Sequence, residues 1–345
     1  MNIKFISRSN NNDLWNKVLD QSKFFSVFYE NFMIDYQIEY QKFYKKFYVD
    51  DSKIIFFNNQ AVAVWPITFI NSKKIIDSFG QPILPPQFIS SVSKKIRKEI
   101  IINCFEYISN FCRNNKVKNW YSQDNFPNTP NLSDWHICAA KTQADFKISY
   151  EIYCNLSLKL EDIKSCFRRR YKNIINNSIK VFDVGIVDSK SRNKEIYWDA
   201  FKKLHLKLAK KETKSEKSWQ LLYESLKDNK SFLVYSTLKK TDVIIGGGLF
   251  LFSRHQCNYG IGVYDFDNYE ETGSRASLGH IVQYKAIEEM KRRNFLWYYI
   301  GNRPFNKILN KSLKKLEDIA NFKEGFSTDL LPHYLIKHSI VKNVK

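Results

Sequence analysis

The stretch IIGGGLFLFSRHQCNYGIGVYDFD, residues 244–267, decides how the fold is read. It supplies two apolar strands, 243–252 and 256–264, and a third at 231–238 precedes them, so the three read as an antiparallel meander. Gly246, Gly247 and Gly248 stand inside the first apolar run. Glycine weakens a sheet unless a bulge or a closely approaching backbone requires it, so this strand carries a local constraint. The run is not a phosphate loop: no Lys-Ser/Thr pair closes it, and no helix start follows at the spacing of a P-loop or a dinucleotide fingerprint.

Working outward, helices are expected over 160–180, 195–211 and 216–228 before the meander. A long helix over about 275–293, a strand at 296–301 and a final strand near 333–340 follow it. Helices, then a meander, then helix and strand make an α+β layout with helices packed on a mainly antiparallel sheet. The first half alternates: an amphipathic helix over 13–31, a hairpin over 53–70 turning at Asn58-Asn59, a helix over 92–115, and strands in 118–126 and 146–157. Between them SFGQPILPPQF, 78–88, holds Gly80 and three prolines and reads as an ordered irregular loop. The change of pattern near residue 160 gives two domains, 1–157 and 158–345, with neither a Gly/Ser linker nor an identical repeat.

Composition bounds the function. With 43% hydrophobic and 16% aromatic residues over 345 positions, the chain has ample surface to bury and is not disordered. The formal charge of +20 points to an anionic partner such as RNA, a nucleotide-linked substrate, a CoA phosphate or a lipid surface. Part of the lysine excess also fits an AT-rich coding bias, since Asn, Ile, Phe and Tyr are abundant too. Six cysteines without a C-x-x-C pair or metal-ligand spacing support neither a zinc site nor a disulfide framework. No signal-peptide core and no run of about 18 apolar residues occurs, which predicts a cytoplasmic protein.

One basic helix raises the question of a ligand. In FRRRYKNIINNSIK, 167–180, Phe167, Tyr171, Ile174 and Ile175 share an inward stripe, leaving Arg169, Lys172, Asn173 and Asn176 outward. That face either grips an acidic or phosphorylated molecule or is simply solvated.

Four segments together resemble the FemAB-like proteins of the GNAT acyltransferase superfamily. The basic helix resembles the one that opens their second domain, with Arg169, Lys172, Asn173 and Ile174 in matching places. WDAFKKLHLKLAKKETKSEKSWQ, 198–220, resembles their aromatic, His-containing helix and the T-x-S…W-Q turn after it. Residues 244–267 resemble their central hairpin, and IANFKEGFSTDLLP, 319–332, their F-K-x-G-F segment. The resemblance covers roughly 155–335. Lys211 stands where an arginine is usual, and TGSRASLGH, 272–280, is not the familiar Q/R-x-x-G-x-G/A acyl-CoA loop.

The resemblance implies two tandem GNAT-like domains, each a mainly antiparallel sheet flanked by helices, and transfer of an acyl or aminoacyl group. Acyl-CoA or aminoacyl-tRNA would be the co-substrate, with no tightly bound cofactor. The acceptor would be an amino-sugar, nucleotide-sugar or peptidoglycan precursor. Such a transfer needs a base, donors aimed at the developing oxyanion, and a groove that aligns the reactants. Asp265 or Asp267, after the YGIGV strand, is a candidate base or a turn acid, and Tyr259 a candidate oxyanion donor or a packed ring. His205 lies among leucines, and the resemblance moves it from core residue to acceptor contact.

For the donor, a strand splayed at Gly246 and Gly247 would open a slot, the alternative being a bulge packed against a helix. Ser274 or Ser277 caps the following helix, whose first turn beside Arg275 is a ready anion site. Arg169, Lys172, Lys211, Thr213, Trp219 and Lys323 complete the expected substrate contacts. A non-catalytic, basic RNA-binding protein of GNAT-like shape is the alternative from another class. A peripheral membrane contact is a further partner expectation, although no basic helix carries a strong apolar anchor.

Overall fold

The computed structural model describes residues 2–70, 72, 74–123, 133–142, 144–239, 241–267, 276–303 and 311–339, with the backbone alone for 311–313. The chain divides into two compact units, Met1–Ser149 with Pro332–Lys345, and Tyr150–Leu331. Both are α+β, with mainly antiparallel sheets flanked by helices. No helix among the described residues is long and apolar enough to cross a membrane.

In the first unit the elements run β1 (Ile3–Ser7), α1 (Asn12–Asp20), α2 (Asn31–Phe43), β2 (Val49–Asp50), β3 (Lys53–Phe57), β4 (Gln60–Trp65), β5 (Thr68–Ile70), β6 (Ile75–Asp77), β7 (Gln87–Phe88), α3 (Lys94–Asn114), β8 (Asn119–Gln123) and α4 (Asp134–Lys141). They form an antiparallel sheet of order β1-β3-β4-β7 and a small one of order β2-β5-β6. The expected hairpin turns at Asn58 and Asn59, both with positive φ as a tight two-residue turn demands. The single helix expected over 13–31 is instead cut at Asp20. Phe24, Phe25, Val27 and Tyr29 are buried without helical spacing, and the Trp15 Nε1–H donates to the Tyr29 carbonyl across the break.

The second unit continues with β9 (Asp145–Asn155, which starts in the first unit), α5 (Leu160–Cys166), α6 (Arg169–Val181), β10 (Phe182–Val187), α7 (Lys194–Ala209), α8 (Glu216–Lys227), β11 (Ser231–Leu238), β12 (Ile244–Phe252), β13 (Gln256–Tyr264), α9 (Leu278–Arg292), β14 (Trp297–Arg303), α10 (Lys311–Glu324) and β15 (Asp329–Ser339). Its sheet runs β10-β11-β12-β13-β14-β9, antiparallel apart from the parallel β13–β14 pair. The second half of β15, Leu335–Ser339, pairs with β8 within the first unit. The helix expected over 160–180 breaks at Phe167, which is extended and buried against Phe326, while the Arg168 N–H bonds the Gly325 carbonyl. Strand β10 and helices α4 and α10 were not expected from the sequence.

The three glycines of β12 are explained by crowding from both faces. A Cβ on Gly247 would come within 3.2 Å of the Phe201 ring of α7, whereas one on Gly246 or Gly248 would meet Leu278 or Val282 of α9 at 3.2–3.3 Å. The sheet is thus sandwiched between α7 and α9, and the glycines let both helices approach.

Candidate active site

The sheet opens one strand beyond the glycines. Strand β13 pairs with β14 at Gln256–Asn258, opposite Trp297–Tyr299, and no further pairing between the two is formed. Past that point β13 stays with β12 as far as Tyr264, and β14 stays with β9 as far as Arg303. Both strands carry an irregularity where they part. Gly260 is the extra residue of a bulge opposite Leu249 and Phe250, and the β14 register shifts between Tyr299 and Gly301. A bulge bends and twists its strand, so paired bulges at one level turn a parallel pair into a V.

Side chains from four elements line this V on the α9 face. The Tyr259 and Tyr264 hydroxyls are 2.9 Å apart, and the Tyr298 hydroxyl donates to Gln283 Oε1 at 2.5 Å. Lys323, at the end of α10, places Nζ 5.5 Å from the centre of the Tyr259 ring. On its other side lies Gly301, where an added Cβ would come within 2.6 Å of Nζ. Gly301 has φ +147°, a conformation that favours glycine, so backbone and lysine are fitted together. Burial pushes the Lys323 ammonium below its ordinary value. Burial also raises both tyrosines, against the opposing effect of Gln283, so they remain neutral hydroxyl donors near neutral pH.

The other expected site residues fall in separate places. Asp265 is buried and turns to the α7 side, where Lys207 Nζ lies 3.2 Å from its Oδ2. His205, Lys211, Thr213 and Trp219 gather at the α7–α8 connection. There the His205 and Trp219 rings meet edge to face at 5.1 Å, and Lys214 Nζ stands 5.0 Å over Trp219. Burial, aided by Lys214, lowers His205 to about 4, and burial lowers Lys214 to about 8. The structure therefore brings Tyr259 and Lys323 together on one face, and groups Asp265 with the α7 residues on the other. Gly246 and Gly247 lie inside the sandwich rather than along the opening.

Ser277 is the N-cap residue of α9, but its hydroxyl bonds His280 Nδ1 at 2.8 Å instead of a first-turn amide. Its own N–H donates to Ser178 Oγ of α6 at 2.9 Å, so that amide is already occupied. Ser274 and Arg275 lie outside the described residues. Beside this junction a groove of about 740 Å³ is lined by Arg170, Asn173, Asn177, Lys180 and Ser277. Arg169 and Lys172 are exposed on α6 without lining it.

Sequence reasoning missed Tyr264, Gln283 and Gly301. Gly301, a glycine closing the apolar run WYYIG, was a legible signal of the same kind as Gly246. Gln283 lies inside a helical period and gives none.

No family model and no curated protein matches the chain. Solved structures do. The chain is similar to FemX, at 10% identity over 99% of this chain and 98% of that one, with a TM-score of 0.62. It is also similar to the C-terminal domain of a lysylphosphatidylglycerol-synthetase-like protein from Agrobacterium fabrum, at 10% identity, 96% and 93% coverage and a TM-score of 0.57. A third likeness, to L-PGS from Bacillus licheniformis, has 10% identity, 85% and 84% coverage and a TM-score of 0.54. These likenesses show a fold shared with FemX and with the lysylphosphatidylglycerol-synthetase proteins.

Proposed function

On this FemAB-like fold, we propose that the protein transfers an acyl or aminoacyl group by direct attack of an amine or hydroxyl on a cell-envelope or surface-glycan precursor. The observation that carries the reading is Lys323 between Tyr259 and Gly301, in the split between β13 and β14. The donor, a CoA thioester or a tRNA ester, enters the split from the α9 side. The acceptor approaches from α7, where His205, Lys211 and Thr213 contact it, with the buried Trp219 ring packed behind His205.

The attacking nitrogen or oxygen bonds to the acyl carbon while the carbonyl electron pair moves onto oxygen. Lys323 and the Tyr259 hydroxyl stabilise that oxyanion with donors already in place, which costs no reorganisation in the transition state. Asp265 takes the proton of the nucleophile. As the oxyanion collapses, the bond to sulfur or ribose oxygen breaks, and the leaving atom gains a proton from solvent. The four-carbon stem of Lys323 in an aromatic wall strengthens its charge by excluding water.

Mass spectrometry of amino-sugar, nucleotide-sugar and peptidoglycan-precursor acceptors, incubated with acetyl-CoA or with charged tRNA, tests the reading and separates the donors. Lys323→Met is expected to slow transfer about a hundredfold, the scale of one lost oxyanion donor, and Lys323→Arg to recover part of it. Wild-type rates in Lys323→Met would refute the assignment.

A further inference from the structure

The end of the small sheet in the first unit presents an exposed apolar surface. Helix α2 runs out into KFYKKFYV, 42–49, where three lysines and four aromatic residues fall within eight positions. Tyr48 turns inward and donates to Asp77 Oδ2 at 3.0 Å. Its neighbours turn out: Phe47 is 66% exposed, Val49 59% and Tyr44 50%. Val49 stands opposite Phe69 and Ile70 opposite Ile75, so exposed Lys74 and Ile75 lie at the same end of the sheet as Phe47. Large apolar side chains exposed side by side mark a contact surface, whereas scattered ones do not.

Charge identifies the occupant. Every described carboxylate near this end is engaged: Glu39 by Lys42, Asp50 by Arg8, Asp51 by Lys53, and Asp77 by Tyr48 and Thr68. Lys46 faces Asp77 electrostatically, whereas Lys45 and Lys74 form no ion pair among the described residues. Aromatic and aliphatic tips flanked by Lys45 and Lys74 match a bilayer interface, where rings sit at headgroup depth and lysines meet anionic lipid. We propose that residues 44–49, with Lys74 and Ile75, dock the protein peripherally on an anionic membrane surface. No helix needs to insert, because the anchor is a loop and a sheet end.

The test is sedimentation of the full chain with phosphatidylcholine vesicles and with vesicles of equal phosphatidylcholine and phosphatidylglycerol. Binding to the anionic vesicles, weakening with salt, is expected, together with loss of about tenfold or more in affinity for Phe47→Ser/Val49→Ser, which leaves the net charge unchanged. Because both residues are exposed, the melting temperature of this variant should match wild type. Three results would each overturn the proposal: no binding to anionic vesicles, equal binding by the variant, or a self-associated form seen by light scattering that the variant dissolves.

Discussion

At the scale of single residues, the split is tuned through Lys323 and its neighbours. A buried lysine whose pKa lies below the ordinary 10.5 loses its proton earlier as pH rises, so the alkaline limb of the transfer rate should fall below pH 10.5. Lys323→Arg should move that limb upward, a shift read directly from a pH–rate profile. The same depression means the folded state disfavours the charged form, so this lysine opposes folding at low pH and ceases to do so above the unfolded value. Gly301→Ala should cost about 1–3 kcal/mol in urea unfolding through its positive φ, and it should also lower transfer by displacing Nζ.

At the scale of elements, the meander and the long helix after it were legible because apolar runs and helical periods survive in a single sequence. The expected strands 231–238, 243–252 and 256–264 correspond to β11, β12 and β13 within a residue. The break at Phe167 was not legible, since it depends on Phe326 and the Gly325 carbonyl far along the chain. Site residues divide the same way. Lys323 was singled out through a motif, while its pairing with Gly301 requires knowing that α10 folds back on β14. The glycines of β12 advertised a constraint, but which strand opens depended on bulges that no local pattern encodes. The end of α9 holds a network of the same long-range kind: Arg293 bonds Glu289 and, at 2.9 Å, Asp188 on the loop after β10. Burial alone would raise Glu289, yet hydrogen bonds from Arg292 and Arg293 outweigh it and hold the carboxylate below its ordinary value. Its stabilisation is therefore present above the ordinary value of 4.5 and lost as pH falls through the folded one. Arg293→Met is expected to destabilise by about 2 kcal/mol at neutral pH, with the deficit shrinking in acid, as unfolding curves at both pH values would show.

At the scale of the whole molecule, the charge of +20 includes Arg170 and Lys180, which line one groove. Both donor classes of the proposed function carry phosphates, which that groove on α6 would meet with two cationic side chains. Affinity for a single-stranded RNA should fall linearly on a log–log plot against salt, and Arg170→Gln/Lys180→Gln should lower the slope by about 1.4, measured by fluorescence anisotropy. The returning strand β15 has a different reach. Ile336 is wholly buried in the first core, and His338 stacks on Trp120 with ring centres 3.6 Å apart while its Nε2 meets the Ser122 hydroxyl at 2.8 Å. On the ribosome, then, the first 149 residues emerge with one piece of their interior still to be translated. Until residues 335–339 follow, that unit waits with the Trp120 face that His338 covers still open to solvent.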